Sequence, residues 1–455
     1  MKRSWNEKQG RAFMGKMFGY KLMGYRLVFI KSACDDGYVK LQYMLEKDGY
    51  IETVETDLPE NGTFPSITGV FPEGAQMERE IAGTYPVMFV SHNKEHEKND
   101  GLSFEWGPFH PLLQEPVLFR FSLKDDVIDK VCIETGYNYR GIERLCIGEK
   151  IPNVLDMLER ISSVNGFSIG LAFLHAVEAI NEIAVPPKAN LLRLILNEMS
   201  FLRANLYSLS HITKCLGLLS DSSEIFKLIS LYNEAALLIT NDPQLKGILV
   251  PGGLSIDTGI ETLVRVNVIL QEMVGVLSAM RDRWNNTQSI TERMKATGKI
   301  DKNTAARMTG RAARAAGLRE DVRKLSRLPY HVLSYKIPTA GESNSFTRTM
   351  LIFEDILLSL SLIDQTVEIM HEGDIRTSDR PRLKSNGEIL VREPEAFGEL
   401  VIHVSLDEEL VTNIKIRNSS TINFPFLDGI LKGTELNDVP LVIASLDLDF
   451  SAMEK

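Results

Sequence analysis

The 455-residue sequence has only four cysteines, and no two of them lie close together in the chain. Cys34, Cys132, Cys146 and Cys215 form no C-x-x-C pair. A disulfide scaffold needs several paired cysteines, and a cysteine metal site needs closely spaced ones. Both are therefore disfavoured, and we expect the chain to work in a reducing compartment.

Several short motifs of large enzyme classes are also missing. The sequence has no G-x-G-x-x-G after a strand, no P-loop, no H-E-x-x-H and no G-x-S-x-G. The eight histidines are scattered, and the one pair at helical spacing, His92 and His96, lies in a polar linker at 91–101. Hydrolase and nucleotide-binding functions therefore have no support in the sequence.

Long uncharged apolar runs are absent as well. A bilayer span needs about 20 apolar residues, whereas the best candidate, 351–369, is interrupted by four acidic residues. The basic amino terminus has neither a continuous apolar core nor a small-residue cleavage site, so we do not expect a signal peptide. We expect a chain that is soluble by itself and that partners hold at a membrane if it works there.

What the sequence does contain is an ordinary globular composition, with 44% apolar and 25% charged residues. The net charge of −10 disfavours a dedicated nucleic-acid binder, and no nucleic-acid partner is predicted. One stretch differs: from Arg293 to Arg327, eleven basic residues against three acidic ones give a local charge of +8. It has no aromatic residues that could stack on bases. We therefore interpret it as a surface that docks against acidic neighbours.

Residue periodicity separates a small mixed part of the chain from a larger helical part. Residues 1–95 contain short β-prone runs and a short helical segment. From residue 140 onward, apolar residues recur at helical spacing. The predicted long helices are 151–183, 187–216, 222–239, 257–284 and 346–370, and the predicted late strands are 388–392, 399–405 and 412–416. We therefore predict an α+β chain, with a small α+β domain at 1–95 and a large domain at 96–455 that is mainly an α-helix bundle with small peripheral β-sheets.

Short motifs follow one another in an order that carries a resemblance. They are Gly107-Pro108-Phe109-His110-Pro111, Glu115-Pro116, Gly136-Tyr137, Arg140-Gly141-Ile142-Glu143, 160–178, Glu198, Gly252-Gly253 with Asp257, Thr309-Gly310 with Arg314 and Gly317, Pro329-Tyr330, and the closing segment 443–455. In this order they resemble the large subunits of membrane-bound nickel–iron hydrogenases and the homologous quinone-site subunit of respiratory complex I. Residues 1–95 resemble the neighbouring small complex I subunit through Ser66, Phe71-Pro72 and Glu78-Arg79-Glu80. The chain thus resembles a fusion of the two subunits.

Compared with the hydrogenases, this chain has lost the metal ligands. In that family two C-x-x-C pairs hold nickel and iron, because such a centre needs soft sulfur ligands. Ser162 and Asn165 stand at the first pair, Asp449 and Ala452 at the second, and Phe397 stands where an arginine faces the iron's small ligands. The resemblance therefore implies no metal and no cofactor in this chain, and no H2 chemistry. It places an iron–sulfur cluster in a partner small subunit.

The two positions that hold a quinone headgroup in complex I are also changed. On the resemblance, its histidine is Gln114 here and its tyrosine is Ser163. A glutamine forms hydrogen bonds but cannot donate a proton near neutral pH as a histidine does. Serine is too short to replace a tyrosine hydroxyl without an intervening water. We expect an altered substrate site, with Gln114, Ser162, Ser163 and Asn165 as its binding residues.

Five residues are candidates for catalysis through proton handling: His110, Arg140, Glu143, Asp447 and Asp449. An extended segment would place both aspartates on one face, where mutual repulsion would raise the pKa of one of them. Structural alternatives are open for each candidate. The aspartates could be solvated or paired with an arginine, the histidine could bind backbone at its proline-rich turn, and Arg140 with Glu143 could form a simple ion pair.

The resemblance implies a subunit of a complex I-like oxidoreductase that takes electrons from NADH or ferredoxin. It would lie peripherally on the cytoplasmic side of the cell membrane, against an iron–sulfur small subunit and on antiporter-like and complex I-like membrane subunits that move ions. Its cleft would handle substrate or protons, with a quinone or a sulfur compound as acceptor. The alternative is a non-catalytic subunit with a degenerate pocket that couples conformational change between the electron-transfer and membrane arms.

Overall fold

The computed structural model describes residues 7–35, 37–90, 102–377 and 383–455. The chain divides into two units, Met1–Gly101 with Thr421–Leu427, and Leu102–Ser420 with Asp428–Lys455. The predicted boundary between residues 95 and 96, and the pair His92 and His96, lie outside the described residues. About 49% of the chain is helical and small sheets are present, so the predicted mixed α+β class is confirmed.

The first unit is built on a three-stranded antiparallel sheet. Its elements are α1 (Glu7–Leu22), β1 (Arg26–Asp35), β2 (Tyr38–Lys47), β3 (Tyr50–Pro59), β4 (Thr63–Pro65), α2 (Ala75–Thr84) and β5 (Met88–Val90). Every second residue of β2 from Val39 to Leu45 is buried, which gives the sheet one apolar face. On α2, the buried Glu78 accepts hydrogen bonds from Ser66 Oγ at 2.5 Å and from Ile67 N–H at 2.8 Å. Two of the motif residues of this region therefore form a structural contact.

The second unit is a helix bundle with small antiparallel sheets. In chain order the remaining elements are β6 (Leu102–Trp106), β7 (Leu118–Lys124), β8 (Val127–Glu134), α3 (Ile142–Leu145), α4 (Ile151–Leu158), α5 (Gly166–Ile180), α6 (Pro187–Leu216), α7 (Leu219–Ile239), β9 (Leu249–Val250), β10 (Gly253–Leu254), α8 (Ile260–Asn286), α9 (Gln288–Ala296), α10 (Lys302–Ala305), α11 (Arg311–Ala315), α12 (Ser345–Glu368), β11 (Gly387–Glu395), β12 (Gly398–Asp407), β13 (Leu410–Arg417), α13 (Ser419–Asn423), α14 (Leu427–Leu431), α15 (Val439–Leu446) and α16 (Phe450–Met453). Strands β6–β7–β8 and β11–β12–β13 form two three-stranded sheets.

Helix α6 is the centre of the bundle. It packs against α7, α12 and α15. Pro187 begins it, at a position where the missing N–H would have no helical partner, and the left-handed Gly217 ends it. Because it is surrounded, even polar residues such as Arg193, Glu198 and Asn205 are buried and need partners inside the protein.

The predicted single helix over 151–183 is wrong, because the chain breaks between α4 and α5. Ser162 Oγ accepts hydrogen bonds from the N–H groups of Val164 and Asn165, which competes with helical hydrogen bonding. Gly166 then starts α5 where a Cβ would lie 2.0 Å from the carbonyl oxygen of Glu159. Only glycine permits this approach, which places the Ser162 turn in the interior.

Helix α8 corrects the expectation that no segment of the chain is apolar enough to cross a membrane. By length and composition alone, α8 meets that description among the described residues. One face of it, which includes Leu263, Leu270, Leu277 and Trp284, is buried, and the helix packs against α7 and α12. Valines on the opposite face, such as Val268, raise its mean hydropathy. Helix α8 is therefore packed in this structure as one helix of the bundle.

The basic stretch between Arg293 and Arg327 matches the predicted surface only in part: seven of its eleven basic residues are exposed, whereas three others pair with carboxylates inside the bundle. Arg311 and Arg314 are buried and pair with Asp355 at 2.9 and 2.7 Å. Arg323 pairs with the fully buried Glu198 at 2.8 Å, and that carboxylate also accepts from Tyr330 Oη and Ser359 Oγ, both at 2.7 Å. Three of the cations therefore neutralise carboxylates of α6 and α12 inside the bundle, which the charge count alone could not show.

The buried pair of Arg193 and Glu178 ties three motif segments together. Two guanidinium nitrogens donate to the carboxylate at 2.9 and 2.7 Å, and Nη2 also reaches the Gly253 carbonyl at 2.9 Å. Gly252 N–H donates to the same carboxylate at 2.8 Å. The backbone of Gly252-Gly253 thus supplies one donor and one acceptor to the buried ion pair of Arg193 and Glu178.

Arg193→Leu is expected to lower the free energy of unfolding by about 3–5 kcal/mol, because it leaves Glu178 as an unpaired buried charge. Urea unfolding of the full chain, followed by circular dichroism, measures this loss. Arg160→Ala is the control, since Arg160 and its partner Asp156 are 53% and 60% exposed. Its expected cost is below about 1 kcal/mol, and equal losses in the two variants would contradict the assignment.

Candidate functional site

Three of the four residues that the resemblance places at the hydrogenase metal-ligand positions meet in a hydrogen-bonded cluster. Asp449 Oδ2 accepts from Ser162 Oγ at 2.5 Å and from Asn165 Nδ2 at 3.4 Å. All three residues are at most 3% exposed. The fourth position, Ala452, donates its backbone N–H to Asp449 Oδ1 at 3.1 Å. Segments 287 residues apart in sequence therefore meet at one buried place.

Local structure explains how Asp449 is held. It caps the amino end of α16, where its Oδ1 also accepts from Ser451 Oγ at 2.5 Å. Its own N–H donates to Ser420 Oγ at 2.7 Å. Both carboxylate oxygens are thus engaged by protein donors.

A nickel–iron centre does not fit these residues. The side chains at the four positions offer hydroxyl, amide and carboxylate oxygens and a methyl group, whereas the centre needs thiolates. In addition, the carboxylate at the middle of the cluster already accepts four hydrogen bonds from Ser162, Asn165, Ser451 and Ala452. We therefore derive no chemistry through such a metal.

Asp447 lies in a different environment from Asp449, and the extended geometry predicted for this segment is wrong. Asp447 has a left-handed φ of 51° at the end of α15, so the two aspartates do not follow one strand. Arg311 donates to Asp447 Oδ2 from Nε at 2.9 Å and from Nη2 at 2.6 Å. The structure thus matches the alternative of an aspartate paired with an arginine. Asp447 Oδ1 is buried without a hydrogen-bond partner among the described residues.

A cleft of about 750 Å³ lies beside the cluster. Its walls come from α6, from α15 and from the loop that follows β6. Residues adjacent in sequence to the cluster, Val164, Leu448 and Phe450, line it together with Phe397. Its polar lining residues are Gln114, Tyr207, Ser208, His211, Lys214 and Asp447. A mainly apolar cleft with a few polar groups is the usual form of a small-molecule site.

Sequence reasoning found Gln114 but missed its partner His211. Gln114 Nε2 and His211 Nε2 are 3.1 Å apart at the cleft. Burial lowers the pKa of His211, and the nearby Lys214 ammonium lowers it further. His211, Tyr207 and Lys214 share one face of α6 at spacings of three and four residues, which was the available signal. Nothing in the sequence distinguished that face from an ordinary core stripe.

His110 and Ser163 have structural contacts instead of positions in the cleft lining. His110 Nδ1 accepts from Leu112 N–H at 3.2 Å, and its ring lies edge-on to Trp106 at 4.9 Å. This is the backbone-binding alternative considered for that histidine. The Ser163 side chain is exposed, and its carbonyl accepts from Arg203. Neither side chain lines the cleft.

Arg140 and Glu143 do not pair with each other, so the predicted helix-surface ion pair is wrong. Arg140 donates to the carbonyls of Ile161 and Ser451 and thereby fixes the closing segment. Glu143 accepts from Lys415 Nζ at 2.8 Å and pairs with Lys455 Nζ at 3.0 Å. Both residues lie near the cluster and hold its surroundings in place.

Glu395, at the end of β11, is a second residue that the sequence did not reveal. Its Oε1 accepts from Ser419 N–H at 2.6 Å, and its Oε2 is buried without a partner among the described residues. Burial raises the pKa of Glu395 to about 7, against hydrogen bonds from Ser419 that lower it. The buried carboxyl therefore exchanges its proton near neutral pH.

Comparisons with known proteins agree with this architecture. A family model described as the respiratory-chain NADH dehydrogenase 49 Kd subunit matches residues 244–386. The carbon monoxide-induced hydrogenase of Rhodospirillum rubrum is 23% identical over 359 residues, which cover 77% of this chain and 98% of that protein. An NADH-quinone oxidoreductase subunit of Desulfitobacterium hafniense is 24% identical over 374 residues, which cover 79% of this chain and 99% of that protein.

The fold is similar to that of a chain in the membrane-bound sulfane sulfur reductase, an archaeal respiratory membrane complex. The TM-score is 0.74 at 22% identity, over 80% of this chain and 100% of that chain. The resemblance predicted from the motifs is confirmed: the chain is related to the complex I-type large subunits and to the large subunits of membrane-bound hydrogenases.

Asp449→Ala is expected to lower the free energy of unfolding by about 2–4 kcal/mol, because it removes the helix cap and leaves buried donors unsatisfied. Asp449→Asn keeps an acceptor for Ala452 N–H, so its loss should be about 1 kcal/mol smaller. Urea unfolding of the two variants and the parent chain measures both values. Identical losses in the two variants would show that the acceptor kept for Ala452 N–H contributes nothing.

The stability contributed by Glu143 should depend on pH. Burial raises its pKa, but Lys455 and Lys415 more than offset this and leave the pKa below its ordinary value of 4.5. A carboxyl with a lowered pKa stabilises the fold above its unfolded-state pKa, and this contribution is lost as the pH falls below it. The stability difference between the parent chain and Glu143→Gln should therefore be constant from pH 7 to about 5 and shrink below about 4.5. A difference that grows on acidification would refute the assignment.

Proposed function

We propose that this chain is a peripheral subunit of a membrane-associated, complex I-like oxidoreductase complex, in which its cleft handles the electron acceptor or protons. It brings no metal centre or other cofactor of its own. Electrons reach the cleft from an iron–sulfur cluster in a partner small subunit, which NADH or ferredoxin ultimately reduces. Membrane subunits of the antiporter-like and complex I-like kinds hold it at the cytoplasmic face of the cell membrane and move ions.

The observation that carries this proposal is the cleft beside the cluster of Ser162, Asn165 and Asp449. Ser162, Asn165 and Asp449 are joined by hydrogen bonds, and the mainly apolar cleft next to them carries a few polar groups that suit proton transfer. Tyr207, His211 and Asp447 provide a hydroxyl, an imidazole and a carboxylate in one cleft. These groups fit an acceptor that takes up protons on reduction, such as a quinone or a sulfur compound.

A second candidate function, a coupling subunit without chemistry of its own, is favoured by one observation. Arg311 contacts Asp447 of the cleft and also Asp355 on α12, at 2.6 and 2.9 Å. A change at the cleft would therefore reach the central helices through a single guanidinium. In that case the Gln114–His211 pair would have only a structural role.

Replacement of His211 separates the two functions. In the intact complex, His211→Ala should lower turnover with quinone analogues or polysulfide by roughly 100-fold if the imidazole takes part in proton transfer. Electron transfer from reduced ferredoxin or NADH to each acceptor gives the rate. His371→Ala is the control, since His371 is exposed and its ring hydrogen-bonds the neighbouring Glu372 carbonyl. Unchanged turnover in both variants would favour the coupling subunit.

A further inference from the structure

A second, smaller cavity lies near Arg311, the arginine that holds Asp447 of the cleft. Arg311 Nη1 donates to Asn205 Oδ1 at 2.8 Å and to Asp355 Oδ2 at 2.9 Å, and both residues line this second cavity. Its Nη2 holds Asp447, which lines the cleft. The charged residues that line the second cavity are Arg314, Glu320, Asp321, Arg323, Asp355 and Glu395. One guanidinium therefore joins the walls of the two cavities.

Glu395, on the lining of the second cavity, has a carboxylate oxygen without a hydrogen-bond donor among the described residues. The residue is 4% exposed, and the oxygen without a donor there is Oε2. Asp321 Oδ1, on the same lining, is also buried and without a donor there. Buried polar oxygens that face a polar cavity are ordinarily satisfied by ordered water. The cavity therefore has the character of a small hydrated chamber.

The arginines of this cavity are not available to neutralise Glu395. Arg314 donates to both oxygens of Asp355 at 2.8 and 2.7 Å. Arg323 donates to both oxygens of Glu198 at 2.8 and 3.0 Å. Each guanidinium is thus fully matched to another carboxylate.

The other charged groups that face Glu395 do not fix its charge either. From the closing segment, Asp449 raises the pKa of Glu395 and Lys455 lowers it, while burial is the largest effect and raises it. From the cavity side, Glu320, Asp321 and Asp355 add negative charge against the two arginines. A carboxyl without a dedicated counter-ion responds strongly to any new charge nearby.

Glu395 is also close to the cleft through the chain itself. It precedes Phe397, which lines the cleft, by two residues, a separation of at most about 7.6 Å between Cα atoms. Between them, the Ala396 carbonyl accepts from Arg311 Nη1 at 3.4 Å. A negative charge that forms on an acceptor beside Phe397 would therefore be close enough to Glu395 to interact with its carboxyl group inside the protein.

We propose that Glu395 takes up a proton when the acceptor in the cleft is reduced, and that the second cavity supplies the water through which this proton is exchanged. The inference depends on the proposed function. The partner's reduced iron–sulfur cluster is oxidised and the acceptor gains the electrons. The Glu395 carboxylate forms one O–H bond with a proton from solvent, which offsets the added negative charge. Glu395 does not contact the acceptor, so it acts as a charge-compensating residue.

The chain offers a matched control in Glu159. Like Glu395, it is buried, it accepts one backbone hydrogen bond, from Gly247 at 2.8 Å, and it has one oxygen without a partner among the described residues. Burial raises the pKa of Glu159 to about 7 as well. Glu159 lines neither the cleft nor the second cavity. The two residues therefore share their acidity but not their location.

The first test uses the isolated full chain and infrared difference spectra recorded as the pH is raised. Glu395→Gln and Glu159→Gln should each remove one protonated-carboxyl signal that disappears with a midpoint near pH 7 in the parent chain. Glu395→Asp should keep such a signal, which excludes misfolding as the cause of its loss. An unchanged spectrum in Glu395→Gln would overturn the proposal.

The second test measures proton uptake by the intact complex on reduction, with a pH indicator in weak buffer. At about pH 8, where Glu395 is mainly ionised, the parent complex should take up roughly one proton more than Glu395→Gln. At about pH 5.5 the carboxyl is already protonated, so the difference should vanish. The Glu159→Gln complex should behave like the parent at both pH values.

The outcomes distinguish this inference from the proposed function. Equal uptake by the parent and Glu395→Gln complexes at about pH 8, with electron transfer intact, would overturn the inference and leave the function standing. A parent complex that transfers no electrons to any acceptor would overturn the function and this inference with it. A difference at high pH that is absent at low pH, and absent in Glu159→Gln, would establish Glu395 as the site of uptake.

Discussion

The closing segment 447–455 is the constraint on which the site depends. Its Asp449 is linked to the turn before α5 because it accepts hydrogen bonds from Ser162 and Asn165. Glu454 accepts the N–H groups of Gly136 and Asn138 at 2.6 and 2.7 Å. Since these contacts join segments about 300 residues apart in sequence, the cleft exists only once the whole unit has folded.

A chain of charged groups extends from this segment into the bundle. Arg311 holds Asp447, and through Asp355 it connects to Arg314. Such a network is costly to bury unless every member is satisfied, which restricts how the surrounding helices can pack. Asp447 Oδ1, Glu395 Oε2 and Asp321 Oδ1, which have no partner among the described residues, belong to residues that line the two cavities. These three oxygens are therefore open to hydrogen bonds from a ligand or water in the cavities.

The contacts of the motif residues divide them into two groups: those that hold the fold together and those that line the cleft. Glu178 with Gly252-Gly253, and Glu198 with Tyr330, are structural, because they close buried ion pairs and hydrogen bonds around α6. Gly310 is required by close packing, since a Cβ there would lie 1.8 Å from the Phe397 carbonyl. The motif residues that border the cleft are Pro111, Val164 and residues of the closing segment such as Asp447. Most of the motif residues that carry the resemblance therefore stabilise the fold, and few of them border the cleft.

The sequence by itself determined the mixed class and, apart from the break before α5, the long helices of the bundle, because local periodicity encodes them, and the ordered motifs singled out Ser162, Asn165 and Asp449 as candidates. It could not reveal that Arg311 and Arg314 are buried, that Asp447 pairs with an arginine, or that His211 lies opposite Gln114. These contacts depend on which side chains, distant in sequence, come together in the folded chain. Burial also sets the acidity of Glu395 and His211, and burial is a property of the tertiary structure alone.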